Sequence, residues 1–260
     1  MGVQTPLTLT EAQALFPSFE LEALIPTQDG VVDTTYLTKN YVLKYFERDT
    51  TQELFTDTKL LELLAKRGFN TPRYLASSKG WHLYSRLQGK VPQSIAYFHI
   101  QALARFLGKF HSLKPKSGKL FLENTTLFKT LTFTQRNYFF YYKKLQSMQT
   151  FTLQNDGFIH GDIFKDNTLF DGEKIAVFDF IDGGLGAFSF DVGVTLLAFN
   201  PKKKDSLTKL FLNTYNQHAP KKLYLQEVQK ELKNAAKFYA LLRIEKYKNP
   251  KKAKLLSNLW

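Results

Sequence analysis

His160-Gly161-Asp162-Ile163-Phe164-Lys165-Asp166-Asn167, followed downstream by Ile175-Ala176-Val177-Phe178-Asp179-Phe180, is the stretch whose reading decides the fold. Asn167 stands five positions after Asp162, and Asp179 stands twelve after Asn167. The apolar run before Asp179 reads as a buried strand that ends by presenting a carboxylate. A carboxylate can orient and deprotonate a hydroxyl. An amide oxygen with a second carboxylate suffices for magnesium, which prefers hard oxygens and keeps several of its own waters. Taken singly, Asp162 is a turn-capping aspartate and Asp179 a strand-terminal acid bonded to nearby amides. The three residue types at this spacing favour the chemical reading.

Composition is compatible with that reading and excludes several others. The chain has 260 residues and is 43% apolar, enough for a large core in one domain or two closely packed lobes. Twenty-four phenylalanines suggest aromatic packing. With no cysteine, neither a disulfide framework nor a thiolate metal site is possible. There is no basic region followed by an apolar leader core, and no apolar run of membrane-spanning length, so a soluble cytoplasmic protein is expected. The net charge of +13 is uneven. Residues 156–191 hold eight acids and two lysines, whereas residues 200–260 hold fifteen Lys or Arg and four acids. An acidic cluster attracts magnesium, and surrounding positive charge attracts polyanions such as ATP. The basic C-terminal region reads as a solvated helical surface. A nucleic-acid patch of lysines interleaved with Tyr224, Phe238, Tyr239, Tyr247 and Trp260 ranks below it.

Periodicity supplies the order of elements. Thr10–Phe16 reads as a short helix with Thr8 or Thr10 as cap, and residues 30–46 as a hairpin turning at Lys39-Asn40. Residues 51–67 read as an amphipathic helix whose stripe is Leu60, Leu61 and Leu64, ended by Gly68. Residues 81–87 read as a strand, 88–92 as a break, 94–113 as a long helix and 130–148 as another. Beyond Asp191 the pattern is mostly helical, with a helix over 192–199 and breaks at Asn200-Pro201, Ala219-Pro220 and Asn249-Pro250.

HGDIFKDNTLF resembles the catalytic loop, and Asp179-Phe180 the metal loop, of the aminoglycoside phosphotransferase and choline kinase superfamily. Within it the stretch is most similar to type II homoserine kinases, whose loop is similar to HGDLFRDNVLF. The resemblance runs from about Pro26 to Asn200 and is strongest between Phe158 and Asp191. It implies an α+β, protein-kinase-like fold with a small β-rich N-lobe over 1–88 and a mainly helical C-lobe over 89–260. It also implies ATP and magnesium as cofactors and a small hydroxyl-bearing substrate.

The resemblance assigns roles residue by residue. Asp162 is the expected catalytic base, and Asn167 and Asp179 the magnesium ligands. His160 is expected to hold the loop. Lys165 and Asp166 are substrate or phosphate candidates or simply solvated. Asp182 is a substrate candidate, and Asp191 a brace for the loop. Lys44, alternating onto one strand face with Val42 and Phe46, is the expected phosphate-binding lysine, since a lysine on an apolar face needs an anion. Asp57 is its expected helix partner, with Glu53 the alternative. Gly30, Thr34 and Thr35 belong to a segment similar to the nucleotide loop. Homoserine is the first acceptor. Choline, ethanolamine, a fructosamine or an aminoglycoside are rivals, and a non-catalytic kinase-like binding protein is the other class.

Overall fold

Alternation along Tyr41–Tyr45 organises the first part of the chain, because it sends Leu43 to one face and Lys44 to the other. The computed structural model describes residues 3–27, 33–114, 119–121, 124–200, 202 and 204–247. Contacts gather the chain into two units, Met1–Lys90 with Ala176–Ile181, and Val91–Ile175 with Asp182–Trp260.

In the first unit, helix α1 (Leu9–Leu15) precedes strands β1 (Ile25–Pro26), β2 (Thr34–Leu37) and β3 (Tyr41–Tyr45). Helix α2 (Thr51–Lys66) then precedes β4 (Tyr74–Ser78) and β5 (Trp81–Ser85). The strands form an antiparallel sheet in the order β1-β2-β3-β5-β4. Thr8 and Glu11 close a reciprocal capping box at the start of α1, which satisfies two end amides. That helix lays Ala12 and Phe16 on Tyr36, Leu43, Trp81 and Leu83. Each large apolar side chain buried here stabilises the unit by about 1.5–3 kcal/mol. Gly68, at φ +76°, takes the left-handed position that follows α2.

Strand β4 lies outside the sequence reading, and β5 stops at Ser85, short of residue 87. Ala76, Ser77 and Ser78 are poor strand formers, so pairing with β5 makes the strand rather than propensity. The connecting turn is Lys79-Gly80, both at positive φ, as a two-residue hairpin of the twist-matching type requires.

The second unit holds helices α3 (Tyr97–His111), α4 (Asn124–Asn137) and α5 (Phe139–Leu145), then a 3-10 turn (Gln146–Thr150). Strand β6 (Gly157–Ile159) pairs antiparallel with β9 (Gly184–Gly186). Between them, β7 (Thr168–Asp171) and β8 (Lys174–Val177) form a hairpin, and β8 runs on into the first unit at Ala176. Helices α6 (Phe188–Phe199), α7 (Asp205–Tyr215) and α8 (Leu225–Tyr247) complete the unit. Helix α6 is buried on nearly all sides, which fits a sequence that is apolar all round apart from Ser189, Asp191 and Thr195. Its Gly193 lets the α8 backbone approach, since a Cβ there would sit 2.9 Å from the Glu231 carbonyl carbon.

Two expectations need correction. Residues 130–148 are two helices and a 3-10 turn, because Tyr138 leaves the helical region at φ −146°, ψ 58°. Asp191 does not precede its helix; α6 begins at Phe188, and Asp191 lies in its first turn. The expected break at Asn249-Pro250 lies outside the described residues.

Candidate active site

Lys44 is the centre of the polar group in the first unit. Its Nζ donates to Asp179 Oδ1 at 2.8 Å and lies 3.6 Å from Asp33 Oδ2, with the side chain only 15% exposed. Burial alone would push the Lys44 ammonium down. The nearby carboxylates of Asp179, Asp33 and Asp57 outweigh it and hold the group above its ordinary value. The nitrogen also lies 4.9 Å from the centre of the Phe46 ring, on the strand face that alternation assigns to both.

Asp179 sits at φ +66°. This left-handed conformation costs a non-glycine residue about 1–3 kcal/mol and persists where surroundings impose it, characteristically at functional sites. Its side chain remains 37% exposed, so the carboxylate that Lys44 holds also faces solvent. Asp57 is buried on α2 and adds negative charge around Lys44. Glu53 is half-buried in the first turn of α2.

The expected nucleotide segment divides. Gly30 lies outside the described residues. Thr34 is fully buried; its hydroxyl accepts from the amides of Gln4 and Thr5 and donates to Glu47 Oε1 at 2.6 Å. That hydroxyl therefore ties the N-terminal segment to the sheet. Thr35 pairs with Lys44 across β2 and β3. Glu47, through its amide, donates to Asp33 Oδ1 at 3.3 Å, so the Thr34 network reaches the carboxylate beside Lys44. Sequence reading missed both Asp33 and Glu47 as partners.

In the second unit, the 160–167 loop is held by Asp191. Its fully buried carboxylate accepts from the amides of His160 and Gly161, each at 2.9 Å, and from His111 Nε2 at 3.1 Å. Burial alone would raise this carboxyl. The His111 hydrogen bond, the charges of His111 and His160 and the His160 amide outweigh it and lower the pKa. His111 in turn meets the Tyr215 hydroxyl at 2.7 Å and stacks on Phe188. His160 is buried, and its Nδ1 accepts from the Asp162 amide at 3.2 Å.

Asn167 Nδ2 donates to the Asp162 main-chain oxygen and to Asp162 Oδ2, both at 2.9 Å. The amide donors are thus directed at Asp162, and the amide oxygen is the group that could take a cation. This donor chemistry fits magnesium, as does the exposed carboxylate of Asp179. Gly161 is at φ +77°, and a Cβ there would lie 1.9 Å from the Phe121 ring. Gly161→Ala is therefore expected to cost about 2–5 kcal/mol, read by urea denaturation, from left-handed strain plus overpacking.

The remaining candidates are more peripheral. Lys165 is half-buried in a 3-10 turn, Asp166 is exposed in the same turn, and Asp182 is exposed. Tyr239, read from sequence only as one aromatic among basic residues, instead donates its hydroxyl to the Gly161 carbonyl. Phe238 beside it is buried against Phe121 and Phe190. His111 and Tyr239 had no local sequence signal, since neither stands within a motif.

Residues 24–224 match the APH phosphotransferase enzyme family. The chain is 26% identical over 230 residues to a homoserine kinase of Polaromonas naphthalenivorans, covering 75% of this chain and 72% of the relative. It is 26% identical to one from Methylobacillus flagellatus, covering 75% and 70%. Among solved structures, the gentamicin complex of APH(2'')-IIa superposes with a TM-score of 0.70 at 16% identity, over 98% of this chain and 95% of that one. The macrolide 2'-phosphotransferase MphH of Brachybacterium faecium does so at 0.68 and 13% identity, over 96% and 97%. These likenesses establish the kinase-like fold that the loop motif implied. No helix among the described residues is long and apolar enough to cross a membrane. With the family match covering residues 24–224, the chain belongs to the APH phosphotransferase enzyme family and is a small-molecule phosphotransferase.

Proposed function

We propose that the protein transfers the γ-phosphoryl group of ATP to the hydroxyl of a small acceptor, with homoserine the first candidate. The observation that carries this reading is the bond pattern of Asn167. Its amide NH2 serves both the carbonyl and the carboxylate of Asp162, which fixes the carboxylate and leaves an amide oxygen for a cation. Asp162 then accepts the acceptor's hydroxyl proton as the new O–P bond forms and the bond to the ADP leaving oxygen breaks. Asn167 and Asp179 would hold magnesium, which offsets phosphate charge when bound. Lys44, held charged by its carboxylates, is the partner for the phosphate oxygens. Replacing it with Met is expected to raise the KM for ATP roughly ten- to a hundredfold, the scale of a lost charged hydrogen bond.

Homoserine is favoured by the HGDIFKDN loop and by the names of the relatives at 26% identity. The fold neighbours solved with gentamicin or kanamycin raise an aminoglycoside as the second reading. Against it, residues 200–260 carry fifteen basic and four acidic residues, poorly matched to a polycation. The test is ADP release from magnesium-ATP with homoserine, choline, ethanolamine, a fructosamine or aminoglycosides. Turnover of homoserine above the others is expected. Turnover confined to aminoglycosides would reverse the assignment, and silence with every acceptor would remove the proposed class of substrate.

A further inference from the structure

Gly161 is gripped at both of its backbone polar groups by side chains. Its amide donates to Asp191 Oδ1 at 2.9 Å, and its carbonyl accepts from the Tyr239 hydroxyl. The second of these bonds fixes the peptide plane that leads into Asp162. Tyr239 comes from α8, distant in sequence, and its ring stands edge-on to Phe164 at 4.8 Å, so the aromatic body also contacts the loop beyond the base. The mounting is closely packed. Ala235 and Ala236 of α8 are fully buried, and Gly193 of α6 brings the two helix backbones together. The helix that carries Asp191 and the helix that carries Tyr239 thus hold the same residue from two sides.

We infer that Tyr239 is a positioning residue for Asp162, its hydroxyl fixing the Gly161 carbonyl and the adjoining carboxylate so that the base presents one orientation to the acceptor. The inference rests on the assignment of Asp162 above and names a residue outside the motif. Burial first, then the charges of Asp162 and Asp191, push the phenol well above its ordinary value. A phenol that keeps its proton beside a carboxylate remains a donor throughout the range in which Asp162 works as a base. Asn167 Nδ2 holds the Asp162 carboxylate directly, and the Tyr239 hydroxyl holds the main chain that leads into it.

Tyr239→Phe removes the hydroxyl and keeps the ring on Phe164. Phosphoryl transfer is read as ADP released from magnesium-ATP, to the best acceptor or to water when none is added. The variant is expected to lose roughly ten- to a hundredfold in kcat, the scale for a misplaced reacting group, with the KM for ATP unchanged. In an Asp162→Asn background the same change should add less than about twofold, since both act through one carboxylate. Amide exchange of the 159–165 peptide should quicken in Tyr239→Phe, a readout that needs no acceptor.

The outcomes separate the two claims. Full activity in Tyr239→Phe with Asp162→Asn inactive overturns the role of Tyr239 alone. Equal losses in both backgrounds also overturn it, by showing that the hydroxyl acts elsewhere. Unchanged exchange of the loop peptide does so without any turnover measurement. Full activity in Asp162→Asn instead removes the base assignment itself.

Discussion

Asp162→Asn is expected to lower kcat by about a hundred- to ten-thousandfold, the contribution of a positioned general base in comparable reactions. The substitution is nearly isosteric. An Asn at this position keeps an oxygen for the bond from Asn167 Nδ2, which at present is 2.9 Å from the carboxylate. The main-chain bond from Asn167 and the His160 bond to the Asp162 amide are untouched. Loop geometry should therefore survive while the proton acceptor is lost. Nucleotide affinity, read by calorimetric titration, should remain. A variant whose kcat stays within about tenfold of the parent would place the base elsewhere.

The second large effect is on stability. Asp191→Ala is expected to destabilise the protein by about 3–5 kcal/mol, the cost of stripping one partner from a buried charged group and leaving its donors behind. Those donors are the amides of His160 and Gly161 and the ring of His111, all buried with it. Asp191→Asn should cost less, because one acceptor oxygen remains. The lowered pKa fixes the sign of the pH dependence. A carboxyl whose folded value lies below its unfolded value of about 3.9 contributes stability above that value and loses it as pH falls through the folded one. Urea denaturation of parent and Asp191→Ala should differ most above about pH 5 and converge as pH falls below the unfolded value of about 3.9. A difference that grows on acidification would contradict the account.

Local signals carried much of this far. Alternation placed Lys44 and Phe46 on one face, and the Lys44 nitrogen does lie over the Phe46 ring. Leu60, Leu61 and Leu64 are buried as their stripe requires, and Gly68 follows the helix end. What local pattern could not supply was pairing. Ser77 and Ser78 form a strand only because β5 lies beside them. Asp33 meets Lys44 through strand register, not through any motif. Tyr239 reaches Gly161 across 78 residues, so its partner is invisible in any window around it. Asp191 was legible as a brace, but the His111 that completes its contacts lies 80 residues upstream.

The bond from Lys44 to Asp179 spans 135 residues, and the segment holding Asp179 is counted with the N-terminal unit although synthesis reaches it late. At ribosomal speeds of roughly 5–20 residues per second, the lysine waits about 7–27 seconds for the carboxylate it hydrogen-bonds. The early-made sheet is therefore an unfinished product during translation, with a cation that has Asp33 beside it but not yet its hydrogen-bonded partner. A fragment cut after residue 90 would be left permanently in that state.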